Sequence, residues 1–122
     1  MTAAIDEKLA LLSAKADSDF FVSECYDFLD AIAALDIRPE QWIAPLVLFI
    51  GDHPEADFGM PGPLVDFLEQ GFIKDPQHSL YPEALLTALE RSSTPHLRWM
   101  AERLCAGAVR DDLRERFTQY QG

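Results

Sequence analysis

The chain has 122 residues and a formal charge of −11 at pH 7. So acidic a surface argues against nucleic acid and anionic membrane as partners, and a hydrophobic content of 48% argues against disorder. A single domain is expected over residues 1–122, large enough to bury roughly two thirds of its unfolded surface without disulfide or metal staples.

The periodicity is helical nearly throughout, and no segment alternates as a strand would. Ile5, Leu9, Leu12 and Ala16 recur on one face of a first helix. Phe21, Cys25, Phe28, Leu29, Ile32 and Leu35 make a stronger stripe on a second. The polar face of that second helix carries Glu24, Asp27 and Asp30 at i, i+3 spacing, with Asp19 beside them and no Lys or Arg within the helix. Like charges so placed each cost roughly a few tenths of a kcal/mol. Such a face is either simply solvated or a surface kept negative for a basic partner, trading a little stability for faster and more selective docking.

From Pro39 to Ile50 the residues are apolar on all sides, with Trp42, Ile43, Leu46, Val47, Leu48 and Phe49, which predicts the buried centre of the fold. Pro39, Pro63, Pro82 and Pro95 mark helix starts, where the missing N–H would have no intrahelical partner. Thr94 is the expected N-cap before Pro95. Gly51, Gly71 and Gly107 sit where helices are expected to stop. The stretch "GDHPEADFGMPGPLVDFLEQG", residues 51–71, crowds Gly, Pro, carboxylates and a histidine together. Its acids Asp52, Glu55 and Asp57 form a second acidic patch. Phe58 and Met60 are either apolar anchors with a charged rim or packing for the central helix. Leu97, Met100, Ala101, Leu104 and Ala108 line a later helix, and Val109, Leu113, Phe117 and Tyr120 the last. Trp99 lies off that later stripe with His96 and Arg103, and Trp and Arg are frequent binding hot spots; a helix covered on both sides would bury it instead.

"PEQWIAPL" from Pro39 and "PEALLTAL" from Pro82 share a Pro-Glu start and equivalent Ile43/Leu86 and Leu46/Leu89, offset by 43 residues. HEAT and armadillo repeats have about this period. Two imperfect copies fit stacked antiparallel helix pairs and are weak evidence for a solenoid.

Charge is distributed unevenly. Residues 1–90 hold 17 acids and four bases (Lys8, Lys15, Arg38, Lys74), whereas residues 91–122 hold six Arg and four acids. The acidity belongs to the first three quarters of the chain.

Catalytic and metal chemistry find little support. His53 with Asp52, Glu55 and Asp57 lacks the ligand spacing of a hard-cation loop, and His78 and His96 have no second His or Cys at metal spacing. There is no G-x-S-x-G, no phosphate loop and no Cys beside a predictable base. No enzyme, no metal and no cofactor are expected. A metal-dependent enzyme built on His53 would show stoichiometric metal after dialysis. Cys25 and Cys105 read as reduced thiols in helices. The longest apolar run, Trp42 to Ile50, is too short to span a bilayer, and no basic-plus-apolar leader opens the chain, so a cytoplasmic protein is expected.

"DFGMPGPLVDFLEQ" followed by "YPEALLTALERSSTPHLRWMAERLCAG" resembles a group of small all-helical immunity proteins from bacterial polymorphic-toxin and contact-dependent inhibition systems. The matching features are the Gly-Pro-like turn from Gly59 to Leu64, the Ser92 to His96 segment and the Trp99-Met100 pair, over about residues 48 to 107. The resemblance implies a stoichiometric inhibitor that binds and blocks one cognate toxin domain, a basic protein and often a nuclease, without turnover.

The expectation is therefore an all-α single domain of about seven helices, packed as antiparallel pairs in a HEAT-like bundle. The expected partner-binding residues are Glu24, Asp27 and Asp30 for charge, Asp52, Glu55 and Asp57 as a second patch, and Phe58 and Trp99 as anchors. The alternative is a HEAT-like scaffold or adaptor that grips a cellular protein or peptide in a groove between helix pairs.

Overall fold

Seven α-helices and a closing 3-10 turn make up the protein: α1 (Ala3–Ser13), α2 (Phe21–Ala33), α3 (Pro39–Asp52), α4 (Pro63–Lys74), α5 (Leu80–Arg91), α6 (Pro95–Cys105), α7 (Asp111–Phe117) and the turn Thr118–Tyr120. The computed structural model describes residues 3–35, 38–59, 62–74, 80–107 and 111–120, and no strand occurs among them. Met60, His78, Ala108 and Val109, singled out in the sequence, lie outside the described residues.

The apolar stripes become the core as their spacing requires. Phe21, Cys25, Phe28 and Ile32 of α2 are buried, as are Leu97, Met100, Ala101 and Leu104 of α6. Residues at i, i+3, i+4 and i+7 share one face of a 3.6-residue helix, and each large side chain so buried contributes about 1.5–3 kcal/mol. Helix α3 is the centre: Ile43, Leu46, Val47, Phe49 and Ile50 are buried, and it packs against α1, α5 and α6. Its most extensive contact is with α5. The two Pro-Glu helices of the weak repeat thus stack on each other, and the equivalent pairs Ile43/Leu86 and Leu46/Leu89 are all buried. Helix α4 packs on α2, and α7 on α5 and α6.

Helix starts follow the prolines. Pro39, Pro63 and Pro95 open α3, α4 and α6, and Pro82 falls in the first turn of α5. The Thr94 hydroxyl accepts the Leu97 N–H at 3.2 Å with extended backbone at Thr94, a cap worth about 1 kcal/mol. At the head of α3 the Arg38 N–H donates to Gln41 Oε1 at 2.9 Å while the Gln41 N–H donates to the Arg38 carbonyl at 2.8 Å.

Of the expected stops at Gly51, Gly71 and Gly107, the one at Gly71 is corrected. Gly51 is the penultimate residue of α3, which ends at Asp52, and an added Cβ there would come 3.0 Å from Leu97 Cδ1, so it also marks the close approach of α3 and α6. Gly71 lies inside α4: a mid-helix glycine costs about 1 kcal/mol against alanine without breaking the ladder. Gly107 does follow the end of α6, its N–H donating to the Leu104 carbonyl at 3.1 Å.

No helix among the described residues is long and apolar enough to cross a membrane. Cys25 is buried, and burial, with the neighbouring Glu24 charge, pushes its thiol up to about 12, so it is held as an inert protonated thiol.

Candidate protein-binding surface

With the apolar stripe of α2 facing inward, its opposite face is fixed toward solvent. Ser23, Tyr26, Asp27 and Asp30 are exposed there. Asp27 and Asp30 make no ion pair among the described residues. Glu24 differs: its carboxylate is held 2.9 Å from Lys15 Nζ. The offsetting cation absent from α2 is supplied by the turn that precedes it, so the repulsion along the helix is smaller than the sequence suggested.

The loop after α3 extends this acidic surface. The 16–19 turn and the 55–57 segment border a polar depression of about 310 Å³ ringed by Asp17, Asp19, Glu55 and Asp57. All four are exposed, and Asp57 Oδ1 also accepts the Gly59 N–H at 3.1 Å, shaping the turn. Glu55 and Asp57 are therefore brought to the acids beside α2. Asp52 is not. It stands at the end of α3, 3.5 Å from Arg91 Nη2 of α5, and belongs to a neutralised part of the surface.

Phe58 is a further correction. It is 2% exposed and forms no part of an exposed patch. Gly59 and Gly62 adopt positive φ of 90° and 86°, a left-handed geometry that glycine enters without a Cβ penalty. Just before Gly59, the Phe58 ring packs on Phe21 at 5.4 Å and Phe49 at 6.2 Å. Hydrophobic burial decides against exposure here.

Trp99 is half-buried. Its ring lies 5.4 Å from the His96 ring and under the Arg103 guanidinium at 5.1 Å, and Arg103 is clamped by two 2.7 Å bonds to Glu69 of α4. His96 in turn lies 5.4 Å from Phe58. The expected hot-spot trio is thus a brace between α4, α6 and the loop, with one edge of Trp99 accessible.

Burial holds the His96 imidazole below its ordinary value of 6.5, and its Nε2 is buried with no hydrogen-bond partner. The unfolded chain therefore binds the proton more readily, so stability is intact above about pH 6.5 and declines as pH falls through the lower folded value. His96→Phe, which keeps the ring and removes the titration, is expected to lose less stability than wild type between about pH 7 and about pH 5. Urea midpoints of the two proteins at both pH values check this.

His53 serves the fold. Its Nδ1–H donates to the Phe49 carbonyl at 2.9 Å, and its Nε2 is 2.8 Å from Ser13 Oγ, pinning the end of α3 to the end of α1. Among the described residues no group of three or more His, Cys, Asp or Glu is placed to hold a metal ion.

Four exposed large apolar side chains among the described residues escaped the sequence reading: Leu11 at 62%, Phe20 at 74%, Tyr26 at 58% and Phe67 at 37%. Tyr26 was detectable, because an aromatic on the polar face of a strongly amphipathic helix is itself a signal. It stands one turn from Asp30 on the same face.

The arginines of the last quarter explain the uneven charge. Arg91, Arg103 and Arg116 pair with Asp52, Glu69 and Glu83, while Arg98 bonds Ser93 and Arg114 donates to the carbonyls of Cys105, the last residue of α6, and of Gly107 just beyond it. Six exposed acids without an ion pair among the described residues, Asp17, Asp19, Asp27, Asp30, Glu55 and Asp57, lie on α2 and the turns beside it, while Glu7 of α1 and Asp66 of α4 are exposed in the same way elsewhere. Compared with known proteins, the chain matches no protein family, no curated protein and no solved structure.

Proposed function

We propose that this protein is an immunity protein that binds and neutralises one cognate bacterial toxin domain, a basic protein and by preference a nuclease, through its acidic surface. The observation that carries the reading is the sorting of charge. Asp52, Glu69 and Glu83 are each matched by an arginine, whereas Asp17, Asp19, Asp27, Asp30, Glu55 and Asp57 cluster on α2 and the turns beside it, exposed without an ion pair among the described residues; Glu7, Asp66, Glu90, Glu102 and Glu115 are exposed without one as well, but on other helices. Exposed like charges raise the energy of the free protein slightly and steer an oppositely charged partner at high rate. The exposed Tyr26 supplies an aromatic anchor within that field. The resemblance to helical immunity proteins points the same way.

The test is capture from the native lysate with the tagged chain, washed at low and then high salt. A single basic C-terminal domain of a large secreted protein, released by salt, supports the reading. A housekeeping protein captured instead overturns it in favour of an adaptor. That second reading has its own observation, an apolar groove of about 290 Å³ between α3 and α5, bordered by Ala44, Leu48, Leu80, Ala84 and Thr87.

A further inference from the structure

Between α1 and α2 runs a second groove, open to solvent, of about 170 Å³. Its two banks are built alike. Lys8, Leu11, Leu12 and Lys15 line it from the α1 side, and Glu24, Asp27, Phe28 and Ala31 from α2. Both sets have i, i+3, i+4, i+7 spacing, so the groove extends for about two helical turns, roughly 10 Å. Leu12 and Phe28, 4% and 5% exposed, form an apolar floor. Leu11 stands on the rim at 62% exposure, and Phe20, one turn before Glu24, is 74% exposed.

The charges are divided between the banks. Lys15 and Glu24 satisfy each other across one end at 2.9 Å. Asp27 remains without an ion pair on the α2 bank, with Asp30 one turn further along the same helix. The α2 bank thus presents apolar surface bordered by Asp27, which feels the Lys15 charge without forming an ion pair, and beyond it Asp30, while Lys8 and Lys15 stand on the facing bank. Volume argues against a small molecule, since ligand pockets usually enclose about 300–1,000 Å³. Charge argues against a second copy, because each carries −11 and the two acidic faces would repel.

We propose that this groove seats one amphipathic helix of the protein partner, about two turns long, with Leu, Met or Phe inserted between Leu11 and Phe28 and Lys or Arg along the flank that overlies α2. The proposal rests on the reading of the chain as an inhibitor of a basic protein domain, and it specifies the seat. A helix laid in a groove between two helices is read through anchors at i, i+3, i+4 and i+7, the spacing both banks share. The Asp27 carboxylate then meets a cation as the apolar side chain leaves water, so charge sets orientation and the apolar contact sets residence time.

The test places a photo-crosslinking benzophenone residue at Leu11, or at Thr87 beside the α3/α5 groove as a control, and irradiates each protein in the native lysate. The expected product links position 11 to a partner segment with apolar residues at helical spacing and Lys or Arg on one flank. Linkage from position 87 alone, or from position 11 to an acidic segment or a second copy, overturns the groove. The same holds if capture delivers a partner that neither position crosslinks. Capture of no partner at all overturns the inhibitor reading itself. Leu11→Glu should weaken binding of the captured domain at least about tenfold with an unchanged melting curve, because the wild-type side chain is exposed; unchanged affinity also overturns the proposal.

Discussion

Gly62→Ala is expected to destabilise the protein by roughly 3 kcal/mol, the scale of a strongly strained backbone. Two costs coincide at this position. Gly62 has a φ of 86°, which an L side chain enters at a penalty, and an added Cβ would collide with the Phe58 carbonyl oxygen. That oxygen is backbone, so relief requires moving the Phe58 peptide. The Phe58 ring is the inward anchor of the loop after α3, in contact with Phe21, Phe49 and His96. Displacing it loosens α2, α3 and α6 together. Gly107→Ala is the internal control: an added Cβ there would lie 3.5 Å from the Leu104 carbonyl oxygen, an ordinary contact, and a change within about 0.5 kcal/mol is expected. Urea unfolding of both variants decides the matter. A mild effect at Gly62 would mean that the Phe58 peptide shifts without loosening the contacts its ring makes.

The second large effect is on association. Asp27→Lys combined with Asp30→Lys reverses two exposed charges that make no ion pair among the described residues. Association with the basic partner should slow on the order of 100-fold at low salt. Wild-type association should itself slow as salt rises, and the variant should lose most of that dependence. Folding should barely change, within about 0.5 kcal/mol, because exposed substitutions touch no packing and the pair no longer adds like charge to α2. Stopped-flow association at several ionic strengths, beside thermal melts, separates the two effects. Unchanged affinity would remove the α2 face from the mechanism.

The helical stripes were readable because burial repeats with the helix. Phe21, Cys25, Phe28 and Ile32 are core in the sequence pattern and core in the structure, and the prolines and Thr94 mark helix starts by local chemistry alone. Residues settled by distant partners were not readable in the same way. Asp52 looks like part of an acidic loop until Arg91 of α5 arrives beside it. Glu24 looks uncompensated until the chain turns back and brings Lys15 within 2.9 Å. Phe58 was open to two readings, and its ring packs inward on Phe21 and Phe49. Gly51 reads as a stop and does stand one residue before the end of α3, but its close approach to Leu97 depends on where α6 packs. The acidic face itself was legible at Asp27 and Asp30. Its extension through Asp17, Asp19, Glu55 and Asp57 depends on two turns far apart in sequence meeting around one depression. The groove between α1 and α2 arises only when the two stripes are laid side by side.

The most direct test of the proposed function is a growth measurement. The domain captured by this chain is expressed in a bacterial host, alone and together with the chain. Growth arrest by the domain alone, fully relieved by co-expression and not relieved by the Asp27→Lys, Asp30→Lys variant produced at the same level, is the expected result. A domain that is harmless by itself, or one that remains toxic in the presence of the wild-type chain, would contradict the immunity function.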